Sequence, residues 1–194
     1  MNYGKFIDAE GELNFQLRFL AKALGDDDSR PFFKYIYIEP SDKGEGLLGV
    51  ASDGRYLHII DPLHTKAVED YGITPGFWQI FKNSSAGRTW AARLDDSEAG
   101  RFRFPDWRKV MPAGNPVYKT TFAGFSPTNK GKGTNYPGLV TFLREFPEAT
   151  AINLEYLQAL GTSFNWNVEW YGPNKALKFI EGNRVTLIMP MQME

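Results

Sequence analysis

One order of elements occurs twice in this chain, near each end, and it constrains the fold more than any other feature. Toward the start, Leu13, Leu17, Leu20, Ala21 and Leu24 fall at helical spacing and predict an apolar-faced helix over about 12–24, with Asn14, Arg18 and Lys22 on a different face. Gly25 and the run Asp26-Asp27-Asp28 stop it. The aromatic and β-branched run 32–38 predicts a strand, and Leu47–Ser52 and Tyr56–Ile60 predict two more. Asp53-Gly54 between them is a strong hairpin signal, read as a turn in which both residues accept φ > 0. Toward the end the order returns. Asn153 caps a short helix through Leu154, Leu157 and Leu160, and Gly161 ends it. Strands over 165–171, 176–181 and 184–189 follow, divided by Gly172-Pro173-Asn174 and Gly182-Asn183. A short strand before each helix, 5–8 and 148–152, completes a β-α-β-β-β unit.

Two fainter copies lie between. In one, Tyr71-Gly72-Ile73 is a strand, Thr74 a cap and Pro75 a first helical residue. Phe77, Ile80 and Phe81 then give a helical apolar face, with strands over 89–94 and 101–104. In the other, 117–125 reads as a strand, 126–135 as a Gly/Lys/Asn-rich loop and 136–146 as a helix. A repeated unit of this kind predicts an α+β fold in which each sheet buries one face under helices on the same side. The expected division is a first domain of two units over 1–104, a connector over 105–116, and a shortened second domain over 117–194.

The chain has 194 residues, 42% of them hydrophobic and 15% aromatic, enough for packed cores and too apolar for whole-chain disorder. It has no cysteine, which excludes disulfides, thiol catalysis and cysteine-held zinc. No apolar run reaches bilayer-spanning length, and a cytoplasmic location is expected, with no membrane partner. The formal net charge is −1, but residues 101–132 carry seven basic side chains against Asp106, so one surface can face a polyanion. His58 and His64 are the only histidines, and no phosphate loop, Gly-x-Ser-x-Gly or His-Glu-x-x-His motif is present. No catalytic residue, metal ligand or cofactor is assigned, and a hydrolytic or metal-dependent enzyme is the least favoured reading.

Three segments together resemble the bacterial DNA polymerase III β subunit, the sliding clamp. Val50-Ala51-Ser52-Asp53-Gly54-Arg55-Tyr56-Leu57 is similar to the clamp's V-A-T-D-G-H-R-L hairpin. Phe104-Pro105-Asp106-Trp107-Arg108-Lys109-Val110-Met111-Pro112 is similar to its F-P-D-Y-R-R-V-L-P connector, and Leu187-Ile188-Met189-Pro190-Met191-Gln192 to its C-terminal V-V-M-P-M-R. The resemblance covers the middle and last of the clamp's three domains. It implies the DNA-clamp (processivity) fold and a replication role without catalysis.

The resemblance also implies an apolar groove for a short peptide of a DNA polymerase or clamp-loader protein. By position it would be lined by Ser52, Gly54, Arg55, Tyr56, Leu57, Pro105, Lys109, Val110, Leu187, Ile188, Met189, Pro190 and Met191. Arg18, Lys22 and Lys82 would face double-stranded DNA without reading its sequence. A six-domain ring built from two-domain chains would need three copies. The alternative is a non-ring clamp-fold module of phage or mobile-element type that binds replication proteins without encircling DNA.

Overall fold

The computed structural model describes residues 1–81, 87–122, 152–161 and 165–191. The chain clusters into two compact units, Met1–Trp107 and Arg108–Glu194. The first runs β1 (Tyr3–Ala9), α1 (Gly11–Ala21), a 3-10 turn (Pro31–Lys34), β2 (Ile36–Pro40), β3 (Leu47–Ser52), β4 (Tyr56–Ile60), α2 (Thr65–Tyr71), β5 (Gly76–Ile80), β6 (Thr89–Leu94) and α3 (Asp96–Ala99). Its strands lie in the order β1-β6-β5-β2-β3-β4. These neighbours pair antiparallel.

Leucine spacing decides how α1 sits. Leu13, Leu17 and Leu20 are fully buried against β3, β4 and β6, at roughly 2 kcal/mol each. The same face carries polar groups, each with a partner. Thr89 Oγ1 donates to Asn14 Oδ1 at 2.6 Å, and the His64 backbone N–H donates to Gln16 Oε1 at 2.9 Å. Asn14 is therefore buried with the leucines, while Arg18 and Lys22, expected to share a different face with it, are exposed. The helix ends at Ala21, and i→i+3 bonds carry the chain on through Leu24.

Two expectations for this unit change. The run 32–38 is not one strand: Pro31 starts a 3-10 turn holding Phe32 and Phe33, and β2 begins at Ile36. The proline sits at the favoured first helical position, which takes the first aromatics out of the sheet. The middle copy is inverted. Residues 65–71 are helix, with the His64 ring accepting from Ala67 N–H and Gly72 ending it at φ +56. Residues 76–80 are strand, and 101–104 are not strand. Apolar residues at 77, 80 and 81 suit either state. The place between β2 and β6 settles it, because there β5 has hydrogen-bonded neighbours on both sides.

The second unit contains β7 (Tyr118–Phe122), α4 (Leu154–Ala159), β8 (Trp166–Trp170), β9 (Leu177–Glu181) and β10 (Arg184–Ile188), with strand order β10-β9-β8-β7. Here local rules read well. Asn153 Oδ1 accepts from Glu155 N–H at 2.9 Å, and Gly161 takes φ +85 after the helix. Trp166, Val168 and Trp170 alternate inward along β8 and are buried with Phe122, Leu177 and Phe179. In the β9–β10 turn, Gly182 has φ +57 and Asn183 does not have positive φ, the glycine-first pattern. Most of the expected strand 148–152, the loop 126–135 and the helix 136–146 lie outside the described residues.

Candidate functional site

The β3–β4 hairpin is closed by the Asp53 N–H donating to the Tyr56 carbonyl at 3.3 Å and is tied further by side chains. Asp53 Oδ1 accepts from the N–H groups of Arg55 and Tyr56, both at 2.8 Å. Ser52 Oγ accepts from Gly54 N–H at 2.9 Å and donates to the Tyr56 carbonyl at 2.8 Å. Within the turn, Gly54 has positive φ, +95°, and Asp53 does not, so the expectation that both residues adopt it is corrected. The aspartate's carboxylate satisfies the donors that a tighter turn would have paired, as an Asx-turn does.

The tip rests on an aromatic platform. A Cβ at Gly54 would meet Arg30 Nη1 at 2.7 Å and Phe33 Cε2 at 3.1 Å. The Arg30 guanidinium lies 5.2 Å over the Phe33 ring and pairs with Asp27 at 2.8 Å. Hydrogen bonds from Ser29 and then Arg30 hold the Asp27 carboxyl down at about 2. Gly54→Ala combines a disfavoured φ with this crowding. It is expected to lower stability by more than about 1 kcal/mol in urea unfolding, with Gly54→Asn, which tolerates positive φ better, costing less than Gly54→Val.

The same platform holds the segment that follows α3. Phe33 meets Phe104 edge-on at 6.3 Å, and Phe104 stacks on Tyr37 at 5.2 Å. Phe102 packs against Tyr35 and Phe77. Trp107 donates its indole N–H to Glu39 Oε1 at 2.8 Å. Phe104 and Trp107 are thus buried anchors, while Pro105 and Asp106 between them are exposed. Hairpin tip and connector start are joined through one set of rings in the first unit. Sequence reading missed this joint. Its trace was the alternation in Arg101-Phe102-Arg103-Phe104, with basic residues outward and aromatics inward.

The remaining expected groove residues belong to the second unit. Lys109 and Val110 are exposed. Leu187 and Ile188 are buried at 1% and 0% exposure, whereas Met189 and Met191 stand out at 37% and 55%. Pro190 is half-buried. In the first unit Ser52, Tyr56 and Leu57 are buried, and Gly54 and Arg55 are exposed. Of the expected groove residues, Gly54, Arg55 and Pro105 in the first unit are exposed, and so are Lys109, Val110, Met189 and Met191 in the second.

Of the residues expected to face DNA, Arg18 and Lys22 are exposed, and Lys82 lies outside the described residues. Phe15, one helical turn before Arg18, is 62% exposed on the same side of α1. Among the described residues no group of three or more His, Asp or Glu is placed to hold a metal, and no helix is long and apolar enough to cross a membrane.

No protein-family model matches the sequence, and no curated protein matches it. Solved structures do match over the whole chain. The DNA polymerase III subunit beta from Borrelia burgdorferi, solved with a natural product, shares 16% identity at a TM-score of 0.54, covering 100% of this chain and 65% of that one. The sliding clamp from Bartonella birtlesii bound to griselimycin gives 13%, 0.57, 100% and 68%. The Helicobacter pylori beta clamp bound to a DNA ligase peptide gives 14%, 0.55, 100% and 67%. The chain thus has the fold of about two thirds of a bacterial sliding clamp.

Proposed function

We propose that this chain, which has the sliding-clamp fold, is a non-enzymatic replication accessory protein that docks partner proteins through a short apolar peptide. The observation that carries the reading is the fold match over the entire chain, from a sequence whose three quoted segments resemble the clamp's hairpin, connector and C-terminus. Two local findings support it. Hairpin tip and connector are held on one ring cluster, and the C-terminal segment exposes two methionines after a buried strand. Methionine's unbranched, polarisable side chain adapts to several apolar ligands. The Helicobacter clamp is described with a ligase peptide bound, and peptide docking is the corresponding proposal here. The experiment is fluorescence anisotropy of a labelled clamp-motif peptide against the protein. Saturable binding is expected, and its absence at high micromolar protein would remove the proposal.

Encirclement of DNA is the second part. Six clamp domains from two-domain chains require three copies, and α1 would present Arg18 and Lys22 to phosphates. Each phosphate neutralised steepens the salt dependence of binding by about 0.9 in the log–log slope. Arg18→Glu with Lys22→Glu is expected to weaken association with circular duplex and flatten that slope. A trimer in sedimentation and retention on circular but not linear DNA support a ring. Peptide binding by a monomer that ignores DNA would select the non-ring module instead.

A further inference from the structure

The sulfur in this chain is all thioether. The sequence has five methionines and no cysteine. Met1, Met189 and Met191 are exposed, Met111 is half-buried, and no methionine is buried among the described residues. Met1 is 71% exposed, but its sulfur accepts from the Tyr35 hydroxyl at 3.1 Å. Met189 and Met191 stand together just past the end of the last strand. Leu187 and Ile188 before them pair with Lys178 and Leu177 of β9 and are buried, which anchors the start of the segment.

This distribution decides where an oxidant acts. A thiolate would intercept a peroxide first, and the chain has no thiol. Oxygen transfer therefore falls on thioethers, and most readily on exposed ones. The sulfur attacks one oxygen of the peroxide. An S–O bond forms as the O–O bond breaks, and the sulfur is oxidised by two electrons. The departing hydroxide takes the proton of the new S–OH group and leaves as water. The product, methionine sulfoxide, is polar, and an apolar ligand laid on it would leave the acceptor oxygen without a donor. The same reaction spares the packed cores, because the described core residues include no methionine.

We propose that Met189 and Met191 are a modification site at which hydroperoxides switch off peptide docking, and at which thiol-dependent reduction of the sulfoxides restores it. The reverse step consumes two thiols, which become a disulfide, and releases the oxygen as water. The inference rests on the peptide-docking reading and adds the regulation of that same site.

The test exposes full-length protein to graded hydrogen peroxide and removes the excess. Sulfoxide is then read at each methionine by fragment mass spectrometry, beside anisotropy of the labelled clamp-motif peptide and a urea unfolding curve. Sulfoxide at Met189 and Met191 is expected to track a loss of peptide affinity of about tenfold or more, with the urea midpoint unchanged. Methionine sulfoxide reductases A and B with dithiothreitol, acting on both sulfoxide epimers, should return the affinity. Met189→Leu with Met191→Leu removes both sulfurs, and the affinity of that variant, whatever its starting value, is expected not to move under peroxide. No binding by the untreated protein would overturn the docking reading and the switch with it. Undiminished binding after both methionines are oxidised would overturn the switch alone. A loss of affinity that follows Met1, Met111 or Met193 instead, that persists in the leucine variant, or that comes with a lower urea midpoint would do the same.

Discussion

Replacing Met189 and Met191 together by aspartate is expected to abolish binding of a clamp-motif peptide while leaving the protein folded. Both side chains are substantially exposed, so the substitutions remove ligand contacts and not core packing. Exposed positions usually change stability by about 0.5 kcal/mol or less. An apolar anchor in a binding groove is worth about 2 kcal/mol or more, and two anchors lost together, with carboxylates facing an apolar ligand, correspond to roughly a thousandfold in affinity. Ile188 is the wrong probe, because it is fully buried in the last strand and an aspartate there would place a charge in the core of the second unit. The measurement is peptide anisotropy beside a urea unfolding curve. An unchanged dissociation constant in a variant with an unchanged midpoint would move the docking site away from the C-terminal segment.

The second large effect concerns pH. His58 in β4 is fully buried and lies flat on Phe19 of α1, ring centroids 3.9 Å apart and 2° between planes. Its Nδ1 is 2.6 Å from the Phe19 carbonyl, which makes Nδ1 the protonated nitrogen, and Nε2 has no hydrogen-bond partner among the described residues. Burial disfavours the imidazolium and pulls the pKa down to about 3, with Lys22 adding to the shift and the Phe19 carbonyl opposing it. The folded state therefore stays neutral while the unfolded state takes up a proton near the ordinary value of 6.5. Stability from this group is complete above about 6.5 and is lost progressively as pH falls toward 3, at up to about 1.4 kcal/mol per pH unit. Most of that window lies above the usual carboxylate range, so between pH 6.5 and 4.5 the histidine acts largely by itself.

His58→Leu is expected to flatten the stability–pH profile across that interval and to leave α1 in place. The Phe19 carbonyl keeps a donor, the Lys22 backbone N–H at 3.3 Å. Urea midpoints measured at half-unit steps of pH read the difference directly. Parallel profiles for parent and variant would show that His58 is not the group responsible.

Most of what makes the site was legible where the signal was local. The limits of β3 and β4 follow from two apolar runs around Asp53-Gly54, and the cap at Asn153 and the stop at Gly161 follow from side-chain chemistry within a few residues. The role of Asp53 was less legible. The dipeptide marked a hairpin, but the turn, closed by Asp53 N–H to the Tyr56 carbonyl and by the carboxylate's bonds to two later N–H groups, takes a single positive φ, at Gly54. Burial divided the groove candidates further. Sequence position could not separate Leu187 and Ile188, which are core, from Met189 and Met191, which are surface.

The chain's order of residues by itself determined the β-α-β-β-β beginning of the first unit, the hairpins and the apolar stripe of α1, because each rests on spacing or turn chemistry within about a dozen residues. Tertiary structure decided three things. Residues 76–80 became a strand because β2 and β6 were there to pair with them. Phe33 and Phe104, some seventy positions apart, became one joint. Phe6, Phe81 and Trp90 became one pocket beside Asp8. In each case the same side chains satisfy more than one local conformation, and hydrogen bonds and ring contacts from distant segments select among them.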